Sequence, residues 1–169
     1  MSETIFIEQG LSKEEKYQAL LPQIKALING ETNLIACSGN ACAALKDAMG
    51  FFWVGFYFVN SATTRLGRAT SELILGPFQG PVACMQIAFG KGVCGTAWKE
   101  KKTIIVKDVD TFPGHIACSS FSKSEIVIPL FKNNEVVAVL DVDSETYACF
   151  DDTDKVYLEK LVKYIEPLF

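Results

Sequence analysis

The chain has 169 residues, of which 49% are hydrophobic and 21% are charged, a composition typical of one folded domain and not of a disordered segment. Its formal net charge of −4 and its scattered lysines exclude the basic patch that binding to nucleic acid requires. The longest apolar stretch, Phe51 to Val59, is far too short to cross a membrane, and residues 1–10 lack a signal-peptide pattern. We therefore expect a cytoplasmic protein that binds neither nucleic acid nor membranes.

Both ends of the chain predict helices. Ser12 and Glu15 form a capping-box pattern, after which apolar residues recur at helical spacing as far as Gly30. A second helix is predicted from about Thr32 to Ala48, and Asp151 can cap a closing helix. The residues expected to face inward on these two helices are Leu34, Ile35, Cys42, Leu45, Val156, Leu158, Leu161, Val162 and Ile165.

The middle of the chain predicts a sheet. Residues 51–59 alternate with period two, which places Trp53 and Tyr57 on one strand face. The elements predicted after this strand are strands at 72–75, 84–88 and 103–106, a helix at 92–99, and a hairpin at 125–131 and 136–143. With no linker to divide residues 1–169, we expect a single α+β domain. Its central, mostly antiparallel sheet of five or six strands is flanked by N-terminal helices, with the C-terminal helix on the other side.

Three of the six cysteines lie in distinctive segments. Cys84 ends the string GPFQGPVAC, Cys94 lies within GKGVCGTA, and Cys118 lies in a long aperiodic loop that runs up to Ser124. Loops of this length inside a compact domain are usually functional, and thiols held on loops around one pocket suit thiol redox chemistry. The cysteines predicted to be packing residues are Cys37, Cys42 and Cys149.

The order of elements resembles a GAF domain. From about Trp53 to Phe150 the segments also resemble the free methionine-(R)-sulfoxide reductases of that superfamily. The matching strings, in chain order, are WVGFY, LGPFQG, the Ala-Cys at Cys84, GVCGTA, GHIAC, SEIVIPL and LDVDS. The resemblance implies a GAF fold and a reductase of free methionine (R)-sulfoxide that needs no cofactor.

Sulfoxide reduction needs an attacking thiolate, an acid for the departing oxygen, and a second thiol. The second thiol condenses with the sulfenic acid, and the resulting disulfide requires an external dithiol, for which thioredoxin is the natural candidate. We assign Cys118 as the nucleophile, because it lies in the long loop and because the resemblance points to it, and Cys84 as the resolving thiol. Cys94 stays open as a resolving or supporting thiol, because a helix start at this position would lower its pKa.

Three carboxyl groups are candidates for the acid and for binding the substrate ammonium. Asp141 and Asp143 share a strand face within LDVDS, and the resemblance adds Glu125. Because clustered carboxyls raise one another's pKa, Glu125 or Asp143 could stay protonated as the acid while another carboxyl stays ionised. Asp141 is assigned mainly to substrate binding, and solvated strand-end carboxylates are the alternative.

Other groups could complete a substrate site. Trp53 and Tyr57 could form an apolar niche for the methyl group, with core packing as the alternative. The amides of Gly92 and Val93, where the short helix starts, could bind the substrate carboxylate. His115 is the only histidine, and the Cys and His spacings follow no zinc pattern, so no metal is expected.

Two non-enzymatic interpretations remain. A non-catalytic GAF sensor would bind a small molecule and signal to an attached effector, and we expect none because the sequence ends soon after the last predicted helix. A module that dimerises through its terminal helices would leave the three cysteine segments unexplained. A homodimer stays open as the assembly of an enzyme.

Overall fold

A computed structural model of the chain describes residues 4–63, 69–116 and 119–169. The helices are α1 (Lys13–Ile28), α2 (Leu34–Met49), α3 (Gly92–Glu100) and α4 (Asp152–Ile165). The strands are β1 (Trp53–Thr63), β2 (Ala69–Gln79), β3 (Gln86–Ala88), β4 (Ile104–Val106), β5 (Ser124–Lys132) and β6 (Glu135–Ser144). None of the described helices is long and apolar enough to span a bilayer.

The predicted helix starts are confirmed by their caps. The Ser12 side chain accepts a hydrogen bond from the Glu15 amide and the Glu15 carboxylate accepts one from the Ser12 amide, which completes a capping box. Asp151 caps α4 with the same reciprocal pattern. Asn33 caps α2 through the amide of Ala36, so this helix begins at Leu34.

The six strands form one sheet in the order β3-β2-β1-β6-β5-β4. Every neighbouring pair is antiparallel. Asn133 and Asn134 form the β5–β6 turn at φ values of 51° and 64°, the positive values that a two-residue hairpin turn requires. β1 is longer than predicted and continues past Val59 to Thr63. The α+β prediction with a central antiparallel sheet is confirmed.

One face of the sheet carries α1, α2 and α4. All three helices contribute to a single core with β1, β5 and β6. The expectation that the C-terminal helix lies on the other side is therefore wrong, because buried contacts such as Tyr17 to Asp154 hold α4 against α1. Ile35 and Val156, predicted to face inward, are 58% and 46% exposed, because each lies beside the buried stripe of its helix.

The opposite face carries α3 and a second, smaller core. This core combines Trp53 and Tyr57 of β1 with Val93 and Cys94 of α3. Within the described residues one short helix covers this face, so the ends of the central strands stay open beneath the loops that flank α3. The open part of this face is where the predicted site residues lie.

Candidate functional site

A pocket of about 580 Å³, measured out to its open mouth, lies on the α3 face of the sheet. The predicted site residues that line it are Trp53, Tyr57, Gly92, Val93, Cys94, Glu125, Asp141 and Asp143. Cys84 lies next to Ala83, which also lines the pocket. Cys118, the predicted nucleophile, lies outside the described residues.

Strand register explains why residues so far apart in the chain meet here. Asp143 lies opposite Trp53 on one side and opposite Glu125 on the other. Asp141 lies opposite Gly55. Because residues directly opposite each other point to the same face of a sheet, the odd-numbered positions of the three strands converge. The prediction that Asp141 and Asp143 share a face is confirmed.

Trp53 forms the aromatic wall of the pocket. Its ring stacks on Phe78 and Tyr57 at centroid distances of 5.5 and 6.0 Å, and its indole N–H donates to the Pro81 carbonyl at 3.0 Å. The ring lies over Gly55, where a Cβ atom would come 2.1 Å from Trp53 Cη2. The glycine of the WVGFY string is therefore required for the position of the indole.

Tyr57 links this wall to the loop that carries Cys84. Its hydroxyl donates to the Cys84 carbonyl at 3.0 Å, and its side chain is otherwise buried. Trp53 and Tyr57 thus both pack in the second core and line the pocket. Core packing is confirmed for both residues, and the niche for the methyl group stays a prediction.

The floor of the pocket is a buried polar cluster. One ligand atom from each of Cys94, Glu125 and Asp141 lies within 4.8 Å of the other two. The Cys94 thiol donates to Glu125 Oε1 at 3.9 Å. Asp141 Oδ1 is buried without a hydrogen-bond partner among the described residues, which leaves a strong acceptor available to a ligand.

Burial and repulsion between neighbouring negative charges give the three carboxyl groups different pKa values. Burial, followed by the charges of Asp141 and Asp143, raises the pKa of Glu125 well above its usual value. Burial, followed by the charge of Asp143, does the same to the pKa of Asp141. Burial raises the pKa of Asp143 only to about 6, because a hydrogen bond from Ser122 favours its ionised form. Burial therefore favours the protonated forms of Glu125 and Asp141 more strongly than that of Asp143, which is mostly ionised at neutral pH.

The expectation that the helix start lowers the pKa of Cys94 is wrong. Cys94 is only 3% exposed, and burial, followed by the charges of Asp141 and Glu125, raises its pKa well above the usual value. These effects outweigh the partial charge at the start of α3, so Cys94 stays a neutral thiol.

The described cysteines differ in redox state. Cys84, half-buried on the loop between β2 and β3, is disulfide-bonded. Cys37, Cys42, Cys94 and Cys149 are free. Cys37 and Cys42 lie in the main core, and burial raises the pKa of both, which confirms that they are packing residues.

Gly92 and Val93 begin α3 at the edge of the pocket. The Lys91 side chain makes no capping hydrogen bond, so no side chain at the N-cap satisfies the amides of the first turn. Gly92 has a φ of 59°, and a Cβ atom there would lie 3.3 Å from Ile116 Cγ1. The geometry of Gly92 favours glycine at this position, and the anion subsite at this helix start stays a prediction.

Several pocket residues were not predicted from the sequence. Ser122 donates a hydrogen bond to Asp143, and Phe52 and Ile116 line the pocket. Ser122 and Ile116 lie outside any periodic pattern. Phe52 belongs to the alternating run 51–59, but β1 begins only at Trp53. His115 also lines the pocket, and burial lowers its pKa.

Cys94, Glu125 and Asp141 are also the described residues close enough together to hold a metal ion. Such an ion would have to displace the protons that their raised pKa values retain.

Comparisons with known proteins agree with this geometry. The family profile described as GAF domain matches residues 31–167. The chain is 53% identical over 166 residues to GAF domain-containing protein A of Dictyostelium discoideum, covering 98% of this chain and 99% of that protein. It is 44% identical over 161 residues to the free methionine-R-sulfoxide reductase of Saccharomyces cerevisiae, and the alignment covers 92% of this chain and 86% of that protein.

Solved structures give the same relationship. The free methionine-R-sulfoxide reductase of Neisseria meningitidis, solved in complex with its substrate, superimposes with a TM-score of 0.92 at 48% identity. The alignment covers 99% of this chain and 96% of that one. The chain therefore belongs to the GAF-domain family and, within it, to the free methionine-(R)-sulfoxide reductases.

Proposed function

We propose that this protein reduces free methionine (R)-sulfoxide to methionine with its own thiols. The observation that carries the proposal is a single pocket that combines the buried carboxyl of Glu125, whose pKa is raised, with a loop whose Cys84 is disulfide-bonded. A sensor would need the pocket but would need neither a buried proton donor nor a redox-active cysteine. The names of the relatives support the same activity.

Substrate binding uses the polar and aromatic groups on opposite sides of the pocket. The ionised carboxylate of Asp143 and the unpartnered Oδ1 of Asp141 hold the ammonium group. The first-turn amides at Gly92 and Val93 hold the substrate carboxylate. The sulfoxide methyl group packs against the wall formed by Trp53 and Tyr57, which orients the sulfur so that only the R epimer presents it correctly.

The chemical step is an oxygen transfer from substrate sulfur to enzyme sulfur. The Cys118 thiolate attacks the sulfoxide sulfur while Glu125 donates a proton to the oxygen. The S–O bond of the substrate breaks, the substrate sulfur gains two electrons, and Cys118 becomes a sulfenic acid. Cys94, a neutral thiol bonded to Glu125, supports this step by positioning the acid.

A disulfide then regenerates the enzyme. The Cys84 thiol condenses with the Cys118 sulfenic acid, releasing water and forming the Cys84–Cys118 bond. Thioredoxin opens this bond and becomes oxidised itself, which places the cycle in the reducing cytoplasm. The disulfide at Cys84, together with the free thiol at Cys94, supports Cys84 as the resolving residue.

A coupled assay tests the proposal. NADPH oxidation through thioredoxin should depend on free methionine (R)-sulfoxide. Cys118→Ser should release no methionine in a single turnover, whereas Cys84→Ser should release about one methionine per enzyme and then stop. A full burst from Cys118→Ser would assign the nucleophile to another thiol, and well-folded wild-type protein without turnover would favour the sensor.

A further inference from the structure

Exposed apolar side chains lie on the two segments that border the pocket. Val82, Met85 and Phe121 are 87%, 77% and 63% exposed, and Ile116 is 38% exposed. Val82 and Ile116 line the pocket together with Phe52, and the Phe121 ring packs on Phe52 at 6.4 Å. We call Val82, Met85, Ile116 and Phe121 the apolar collar. Single exposed apolar residues are ordinary, but clustered ones mark interaction sites.

The segments that carry the collar have no ionised side chains. Residues 73–90 contain no Asp, Glu, Lys or Arg, and residues 111–122 contain His115 as their only titratable group apart from cysteine. Burial lowers the pKa of His115, so this residue is neutral as well. A partner that is guided by charge would find no complementary groups here.

The collar lies on both sides of a redox centre. Cys84, which is disulfide-bonded, lies between Ala83 and Met85 and one residue beyond Val82. The Tyr57 hydrogen bond to the Cys84 carbonyl holds this loop against the sheet. A protein thiol that attacks the Cys84 sulfur must therefore reach the half-buried loop by covering the collar, whereas a small dithiol needs no such contact.

We propose that the apolar collar is the docking surface for a protein dithiol reductase whose own thiols are surrounded by an uncharged, apolar surface. This inference rests on the disulfide cycle of the proposed function. A thiolate of the reductase attacks Cys84 sulfur, forming an intermolecular disulfide and releasing Cys118 as a thiolate. The second thiol of the reductase then breaks the intermolecular bond and releases the Cys84 thiol, so two electrons pass from the dithiol to the protein.

The test measures reduction of the oxidised protein directly, without methionine sulfoxide. Rates of thiol release are compared for thioredoxin and for dithiothreitol, with wild type, Met85→Glu and Phe121→Glu. Neither Met85 nor Phe121 lines the pocket. We expect the second-order rate with thioredoxin to fall tenfold or more in each variant, because a buried charge replaces an apolar contact. The rate with dithiothreitol should stay within about twofold of wild type.

Phe6→Glu and Val156→Glu are matched controls, because these residues are 73% and 46% exposed and belong to the N-terminal segment and to α4. They should leave both rates unchanged. Equal losses with thioredoxin and dithiothreitol, or no loss with thioredoxin, would overturn the proposal. So would a wild-type dimer that Met85→Glu or Phe121→Glu converts to a monomer, since a second copy would then cover the collar. Collar-dependent reduction in a protein without sulfoxide reductase activity would refute the proposed function alone.

Discussion

Two carboxyls directly opposite each other on β5 and β6 differ in environment, and this difference underlies the separate roles proposed for them. Glu125 and Asp143 are cross-strand partners. Glu125 is 6% exposed and surrounded by other acids, while Asp143 is partly exposed and bonded by Ser122. Neighbouring groups whose pKa values are pushed apart supply an acid and an anion in one site. We therefore propose Glu125 as the proton donor and Asp143 as the partner of the substrate ammonium.

Replacing Glu125 tests the acid. Glu125→Gln keeps the shape of the side chain but cannot donate a proton from a carboxyl group, so kcat/KM should fall by roughly 100-fold or more. The measurement is a steady-state assay with free methionine (R)-sulfoxide. Asp141→Asn is the comparison and should act mainly on KM. A wild-type kcat for Glu125→Gln would remove this residue from the chemistry.

The pH dependence of kcat/KM, with and without the Asp143 carboxylate, tests whether this group binds the substrate ammonium. The pKa of Asp143 is raised to about 6, so its ionised form is present above pH 6 and is lost as the pH falls through that value. If this form holds the ammonium, kcat/KM should fall about tenfold per pH unit below that pKa. Asp143→Asn should lower kcat/KM at pH 7.5 and remove this acidic limb. If the pH profile of Asp143→Asn kept its acidic limb, another group would be responsible for that limb.

At the scale of elements, Gly55 in β1 has no side chain and so leaves room for the Trp53 ring of the aromatic wall. Gly55→Ala would place a methyl group 2.1 Å from Trp53 Cη2 and 2.6 Å from Phe78 Cβ. We expect a loss of about 1–3 kcal/mol in the free energy of unfolding from overpacking, together with a higher KM because the indole must move. Urea denaturation and the steady-state assay measure the two effects.

Gly39 is the matched control within α2. A Cβ atom there has Pro77 Cβ, at 3.9 Å, as its nearest contact. Alanine should therefore stabilise the helix by about 0.5–1 kcal/mol. Equal effects of Gly39→Ala and Gly55→Ala on stability would show that the strand accommodates a side chain beneath Trp53.

Much of the site could be predicted from the strands because side-chain direction in a strand depends only on parity. Trp53 with Tyr57, and Asp141 with Asp143, follow from alternation alone. Cross-strand register, which needs the fold, then brings Glu125 opposite Asp143. The hairpin turn at Asn133 and Asn134 has a similarly local cause, because asparagine tolerates positive φ values.

The rest depended on packing that local patterns do not encode. The raised pKa of Cys94 follows from its burial in α3 and from the nearby carboxyls of Asp141 and Glu125. The sequence alone shows only that Cys94 lies at a helix start. The exposure of Ile35 and the side of the sheet on which α4 packs depend on which apolar faces of the helices pack together. Ser122 lies in a loop and donates a hydrogen bond to Asp143 in the sheet, a contact that local sequence does not reveal.

At the scale of the whole molecule, a buried polar contact joins the first helix to the last. The Tyr17 hydroxyl donates to Asp154 Oδ1 at 2.8 Å, across 137 residues of sequence. Lys13 pairs with the other oxygen of Asp154 at 2.5 Å. Tyr17 and Asp154 are both 0% exposed, so water does not replace these partners. The contact holds α1 and α4 on the face of the sheet opposite the pocket.

Tyr17→Phe should therefore destabilise the protein without altering its chemistry. Removing the hydroxyl leaves Asp154 Oδ1 buried and unpaired, which costs about 1–3 kcal/mol. Tyr157 stacks on Tyr17 at 5.2 Å, and its hydroxyl bonds to exposed Glu14 at 3.0 Å. Tyr157→Phe should change stability by no more than about 0.5 kcal/mol, and both variants should keep the wild-type kcat. Urea denaturation of the two variants gives the comparison, and equal losses would mean that the buried hydroxyl does not hold α1 to α4.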